Sequence, residues 1–481
     1  MKPTITIDIG TTRIKLGFFD GDGHQLASDK QPTPNVTDSW GVVYDVDALL
    51  AIIVRFVRSL DPAHREAVAR IAIAGVGESG GLVGPGLELR SPMILWHDQR
   101  GAALINGLDH AARTRVYRRT GLPANANYSL SKVAWAVAHT TYGTEDLRWL
   151  NVSEYVAAWL TGHRWAEYSL ASRTMALDLR AGEWSPEMCA LAGVDPALFP
   201  GLRRADQGQE LSATVARDTG LPAEVSVHVV GHDHMVGAAG AGLRKGEVLN
   251  STGTTEGVLL LRDEPSLDDY SARSMLANGL ACDGSAYTLF ASIPTGGSAF
   301  ETLQRMLGMS ESMLATCVAA LSERYLSGQI DLAAVPVVVP QFRGSPPPEK
   351  SAAARGLIAN LGSGVRAEDI VFGCFLGLAI QFATVLELFR SDATTIKVIG
   401  PASENRLWLH LKADFLGADL SVSTFPEVVS RGAQALASAH TSDWDSCDPW
   451  LVEADPGRHA QLREWRESMR PVMRNLGQLS W

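Results

Sequence analysis

The chain has almost nothing with which to cross-link itself. Five cysteines in 481 residues (Cys189, Cys282, Cys317, Cys374 and Cys447) are scattered without CxxC spacing, so neither a disulfide framework nor a zinc cluster is indicated. That usage fits a reducing cytoplasm. Basic charge is also in short supply: 42 Lys and Arg against 53 Asp and Glu give a net charge of −11. No basic run is available to neutralise phosphates, which argues against a nucleic-acid partner. Low-complexity stretches are missing, and the sequence opens directly in strand-like residues with no basic-then-apolar leader, so a cytoplasmic protein is expected. One uncharged run, 370–386, falls short of a comfortable membrane span and is interrupted by Gly373, Gly377 and Gln381. Glu368 and Asp369 precede it, where the first turn of a helix favours negative charge. It reads as a buried helix of a large core and not as a membrane segment.

What the chain does have is a repeated triplet. Gly-Thr-Thr stands at Gly10-Thr11-Thr12 and again at Gly253-Thr254-Thr255, about half the chain apart. Thr4-Ile5-Thr6-Ile7-Asp8 precedes the first copy and Lys15-Leu16-Gly17-Phe18-Phe19 follows it; Val248-Leu249-Asn250 and Val258-Leu259-Leu260-Leu261 flank the second. A tight turn of this composition exposes backbone N–H groups and adds two hydroxyls, which suits a polyphosphate. One such hairpin per half suggests two related domains gripping one nucleotide. Two unrelated hairpin turns are the plain alternative.

An apolar content of 46% with 20% charged residues is that of a folded chain, and 481 residues exceed one ordinary core. After the opening hairpin, the spacing predicts a helix over 48–60, a strand over 71–76, and helices over 131–138 and 154–160. A strand over 227–230 then leads into a Gly- and Ala-rich helix. The second half repeats the grammar, with a strand over 287–293, helices after Gly297, a long helix over 368–389, a strand over 395–399 and a helix over 404–416. Strands spaced by helices argue for an α/β fold with mainly parallel sheets, one per domain. The join is expected near 243–246, giving domains over 1–245 and 246–441. Residues 341–350 read as a surface loop and 442–481 as a helical extension packed on the outside.

Asp8 sets a carboxylate at a strand end directly before the first donor-rich turn, an arrangement that holds magnesium against phosphate oxygens. Lys15 adds a point charge for the transferred group; an ordinary turn aspartate is the alternative for Asp8. Asp233, in Gly231-His232-Asp233-His234, ends a buried strand beside a helix with almost no side-chain bulk, a place that suits a general base. The His-Asp-His triplet also invites a metal reading, although in an extended segment the two histidines share one face and Asp233 the other. A purely structural aspartate is the third possibility. Two polar clusters remain, around Glu78 and from Trp96 through Asp98 to Arg100. Aromatic, carboxylate and guanidinium groups together recognise polyhydroxylated ligands; a surface turn with a salt bridge is the alternative for each.

These elements occur together in a recognisable order: Asp8-x-Gly-Thr-Thr-x-x-Lys15, Trp96-His-Asp98-Gln-Arg100, and Thr120-Gly-Leu-Pro with Lys132 downstream. Ala171-Ser-Arg-Thr174, Gly231-His-Asp233, Ser251-Thr-Gly-Thr254-Thr and Gly400-x-Ala-x-x-Asn405 follow, with Trp408, Ala413-Asp414 and Gly417 after them. In this order and spacing the chain resembles the FGGY-type carbohydrate kinases over roughly residues 4–440. The resemblance implies two actin-like (ribonuclease-H-like) domains with ATP and a sugar meeting in the cleft between them. It implies Asp233 as catalytic base, Asp8 and Asp233 near Mg²⁺, and Gly10, Thr11, Thr12, Lys15, Gly253 and Thr254 around the phosphates. Gly296, Gly297, Gly400 and Asn405 would lie along the adenosine, and Glu78, Trp96, Asp98, Asn127 and His234 by the acceptor. The expected activity is phosphorylation of a small sugar or polyol of the ketopentose, pentitol or tetritol class, with a homodimer as one open assembly.

Two departures stand out. Pro401 and Ala402 replace the successive glycines that usually open the adenosine motif, and Gly77-Glu78-Ser79 carries neither the histidine of xylulose-type kinases nor the arginine–glutamate pair of glycerol kinases. An actin-like or chaperone-type ATPase and a catalytically inactive sugar-binding regulator are the rival readings. The former needs neither polar cluster, and intact Asp8 and Asp233 speak against the latter.

Overall fold

The computed structural model describes residues 1–477 apart from 392 and 394. β-Branched residues alternate through Thr4–Ile9 (β1), which turns at the first Gly-Thr-Thr into Arg13–Phe19 (β2) and continues to Gln25–Pro32 (β3). β1 is buried along its whole length because it lies inside the sheet, antiparallel to β2 and parallel to Arg70–Gly75 (β4). The helix Val46–Ser59 (α1), capped by Asp45, buries Leu49, Ile53 and Phe56 on one stripe. Gln209–Glu210 (β5) and Ser226–His232 (β6) complete the first sheet in the order β5-β6-β4-β1-β2-β3.

The second sheet repeats this design. Glu247–Thr252 (β7) turns at the second Gly-Thr-Thr into Glu256–Arg262 (β8), followed by Ala277–Leu280 (β9), Tyr287–Ile293 (β10), Thr395–Ile399 (β11), Leu420–Ser423 (β12) and Pro449–Val452 (β13). The order is β9-β10-β8-β7-β11-β12-β13. Antiparallel β7-β8-β10 matches β1-β2-β3, parallel β11 and β12 match β4 and β6, and antiparallel β13 matches β5. Only β9 is an addition. These are two actin-like α/β domains with a cleft between them.

The uncharged run lies in Ala367–Glu387, a helix long and apolar enough to cross a membrane by length and composition. In this fold 72% of its most apolar stretch is buried, as a core helix would be. The C-terminal segment departs from the expected outer helical extension. β13 joins the second sheet as an edge strand, and Pro456–Gly477 packs Leu462 and Trp465 into the core of the second half. The strand is four residues long and opens on a proline, too short for its alternation to register in the sequence.

Asp233–Gly240 (α2) follows β6, and Val428–Ala437 (α3) follows β12. These equivalent helices of the two halves cross with their backbones in contact. A Cβ on Gly240 would sit 2.1 Å from the Val428 carbonyl oxygen, and one on Gly432 would sit 2.2 Å from that of Val236. Around the crossing, Ala72 and Val230 of the first half share a hydrophobic cluster with Leu249 and Ile399 of the second.

Gly240→Ala should therefore cost about 1–3 kcal/mol of stability, the range for overpacking a close contact. Gly362→Ala, where a Cβ would meet nothing within 4 Å, should change it by less than about 0.5 kcal/mol. Urea denaturation of the two variants decides; equal losses would mean that the crossing yields freely.

Candidate active site

A cleft of about 1160 Å³ opens between the halves, and both Gly-Thr-Thr turns line it. The first turn is pinned from behind: the Gly10 N–H donates to the Arg13 carbonyl at 3.0 Å, and the Thr33 hydroxyl donates to the Gly10 carbonyl at 2.8 Å. The N–H groups of Thr11 and Thr12 have no partner among the described residues. Trp96 Nε1 donates to Thr11 Oγ1 at 2.8 Å, so Trp96, expected by the acceptor, is tied to the first Gly-Thr-Thr turn while lining the same cleft.

The second turn is braced by the residues expected along the adenosine. Gly296 N–H donates to the Thr254 carbonyl at 3.2 Å and Gly297 N–H to that of Gly253 at 2.8 Å. Neither glycine lines the cleft. A Cβ at Gly297 would come within 2.8 Å of the Gly253 oxygen, so these residues are small because another backbone passes against them. Gly400 does line the cleft, at φ +102° just past β11. Asn405 instead caps the helix Arg406–Leu416, its Oδ1 accepting from the Trp408 N–H at 3.1 Å. Ser403, Glu404 and Arg406 face the cleft around it.

Asp8 and Lys15 are cross-strand partners in β1 and β2. The ammonium lies 3.8 Å from Asp8 Oδ2 and reaches across the cleft to Glu427 Oε2 at 3.0 Å. Asp8 Oδ1 is buried with no hydrogen-bond partner among the described residues. Loss of solvent pushes the Asp8 carboxyl up to about 7, with Lys15 opposing the shift and Asp233 and Glu427 adding to it.

Asp233 is aimed by a bulge. The register of β6 slips between Val229 and Gly231, and Gly231 adopts φ +124°, where a Cβ would fall 2.4 Å from Ser169 Oγ. The strand therefore ends with Asp233 as the first residue of α2 and in the cleft, its side chain 24% exposed. Its Oδ1 accepts from the His234 N–H at 2.7 Å. Desolvation raises its carboxyl to about 7 against that hydrogen bond, with the Glu78 charge helping.

The rings of His232 and His234 stack 5.4 Å apart, although the segment is not extended as expected: the strand ends at His232 and His234 lies in the first turn of α2. Burial, then the Arg173 charge, holds both imidazoles below their usual range, His234 at about 4. His234 Nδ1 meets Ser251 Oγ at 2.8 Å.

Glu78 lines the cleft but is already engaged. Arg173 Nε and Nη2 hold its Oε1 at 2.9 and 2.8 Å. Arg173 is 5% exposed, lies over the rings of Tyr128 and Phe290, and keeps Nη1 without a hydrogen-bond partner among the described residues. A Cβ at Gly77 would strike His232 Cδ2 at 2.4 Å and approach Arg173 Cγ at 3.3 Å. A side chain cannot stand at position 77 because the His232 ring fills that space, and Glu78 instead pairs with an arginine 95 residues away in sequence. Sequence reading assigns Arg173 no role, although it lies within a motif; its pairing is a tertiary fact.

Asp98 does not line the cleft. Its two oxygens accept from the Arg100 N–H at 2.8 Å and from Arg100 Nη2 at 2.7 Å. Its position thus braces the loop instead of reaching the acceptor. Asn127 lines the cleft, with its Oδ1 accepting from Gln99 Nε2 at 2.7 Å. The buried Lys132 ammonium donates to the Asn127 carbonyl, and burial lowers its pKa to about 7.

Comparison with known proteins agrees with this geometry. The N-terminal domain model of the FGGY family of carbohydrate kinases matches residues 4–240, and the C-terminal domain model matches 248–441. The chain belongs to the FGGY family of carbohydrate kinases. It is thus a phosphotransferase with an alcohol group as acceptor. A glycerol kinase of Aromatoleum aromaticum is 28% identical over 98% of each chain. The fold is shared with a gluconate kinase of Lactobacillus acidophilus (TM-score 0.87, 17% identity, 100% of each chain). It is shared also with a Plasmodium falciparum glycerol kinase solved with ADP (TM-score 0.84, 17% identity, 98% of each chain).

The Glu78–Arg173 pair generates a test of this kinase. Glu78→Gln should cost about 3 kcal/mol in urea denaturation, because a buried guanidinium loses its counter-charge. Adding Arg173→Gln should recover at least about 1 kcal/mol of that loss. Strictly additive losses would show the pair to be uncoupled.

Proposed function

We propose that this kinase transfers the γ-phosphoryl group of ATP to a hydroxyl of a small sugar or polyol, with Asp233 as general base. The observation that carries the reading is the meeting of two donor-rich turns, one from each half, in the cleft into which Asp233 projects. In the transfer, the acceptor oxygen forms a bond to the γ-phosphorus while the bond to the departing ADP breaks. The hydroxyl proton passes to Asp233. The free N–H groups of Thr11 and Thr12, the Thr254 hydroxyl and Lys15 take up phosphate charge, and Gly400 with its neighbours lies along the nucleoside.

Asp8 and Asp233 fit a magnesium ion, since both are hard oxygen donors and Asp8 Oδ1 is buried without a hydrogen-bond partner among the described residues. Those two residues would hold it, and the ion supplies charge neutralisation at the phosphate oxygens when bound. On the acceptor side Glu78, Asn127 and His234 offer polar groups at the cleft wall. Ketopentoses, pentitols and tetritols are the acceptor class of this proposal; the glycerol kinases among the relatives add glycerol to it.

A coupled assay of ADP release over glycerol, tetritols, pentitols and ketopentoses tests the reading. Release should require the acceptor; an equal rate without one would make the protein an ATPase. Asp233→Asn should lower kcat by roughly 10²–10⁴-fold, with KM for the acceptor little changed. A variant that kept more than about a tenth of the rate would remove Asp233 from the role of base. Asp8→Asn should differ, raising the Mg²⁺ concentration needed for half-maximal rate.

A further inference from the structure

The loop that carries the three consecutive prolines brings two basic residues, Arg343 and Lys350, from the second half into the cleft. Neither forms an ion pair or a side-chain hydrogen bond among the described residues. Both are exposed to the cleft space. Their neighbours fix which end of the cleft they serve. Burial lowers the His97 pKa first, and Arg343 is near enough to add a smaller push in the same direction. Lys350 responds to Arg173 and Glu78, after a larger effect of lost solvent. Glu78 and Arg173 line the cleft on the acceptor side, and His97 directly follows Trp96, which lines it too. The cations beside the first phosphate turn are different residues, Arg13, Lys15 and Lys30.

The acceptor wall is thus positive beyond its internal pairing. Glu78 is matched by Arg173, which still has Nη1 buried and without a hydrogen-bond partner among the described residues. That leaves two unpaired cations and one spare guanidinium N–H around the acceptor space. A neutral acceptor would leave all three uncompensated, whereas a carboxylate accepts charge-assisted bonds from them.

Resting on the kinase reading above, we infer that the acceptor is a short polyhydroxylated carboxylic acid, bound with its carboxylate toward Arg343, Lys350 and Arg173. Its hydroxyl chain runs past His232 to Asp233. The side chains give the order of this path: His232 Nε2 is 4.0 Å from Glu78 Oε2, and its Nδ1 is 3.3 Å from Asp233 Oδ1. The carboxylate takes no part in the transfer; it fixes which hydroxyl reaches the base. A sugar acid of this kind is the product of aldehyde oxidation or lactone hydrolysis, so a reaction of one of those classes must supply it.

The test is a paired assay on the full-length protein with matched acids and polyols: glycerate against glycerol, erythronate against erythritol, and xylonate against xylitol. At least one acid should exceed its polyol in kcat/KM by roughly tenfold or more, the value of one charge-assisted bond. Lys350→Gln, at an exposed position, should reduce that acid-to-polyol ratio by roughly tenfold, and Lys350→Glu by more. Phosphorylation of polyols but not acids would overturn this inference and leave the kinase reading intact. So would a Lys350→Gln loss of equal size on both acceptors, or one confined to KM for ATP. No turnover of any acceptor would overturn both.

Discussion

Two helices that touch through their backbones hold this molecule in register. α2 carries Asp233 at its first residue, and α3 begins one residue after Glu427, the partner of Lys15 across the cleft. Their crossing therefore sets the distance between Asp233 of one half and Glu427 of the other. Glycine at Gly240 and Gly432 allows an approach that any side chain would hold apart. Hydrophobic burial alone, which is non-directional, would not fix that distance; contact between two rigid backbones does.

Given that spacing, three carboxylates gather around Lys15 where the two halves meet. Asp8, Asp233 and Glu427 face a single ammonium, Lys15, and loss of solvent raises both aspartates toward neutrality. A buried group that takes a proton so readily is poorly satisfied by its own protein. The acceptor side is built in the opposite sense, with Glu78 clamped by Arg173 and further cations around it. Two neighbouring regions of one cleft thus ask for partners of opposite sign.

Local signals were readable in the sequence, and tertiary ones were not. The repeated Gly-Thr-Thr, the carboxylates at the ends of β1 and β6, and the periodicity of the main strands and helices are written within a few residues, because turn chemistry and alternation are local. The strands over 287–293 and 395–399 coincide with β10 and β11. The Glu78–Arg173 and Lys15–Glu427 pairs join residues far apart in sequence and leave no local trace. Gly296 and Gly297 show that a glycine marks close approach without saying to what: the neighbour is the second turn. Asp98 sits in a cluster of the right composition, yet Arg100, two residues on, satisfies it.

The duplicated strand order has a consequence for how such a molecule diversifies. The two halves differ chiefly in where extra chain is inserted: between β4 and β5 in the first, and between β10 and β11 in the second. The first insertion carries Glu78, Trp96, Asn127 and Arg173; the second carries Arg343 and Lys350. The strands that carry the two Gly-Thr-Thr turns lie outside both. The inserted segments and the cleft residues they carry can therefore drift, lengthen or exchange charge while the framework of the duplicated sheets stays fixed.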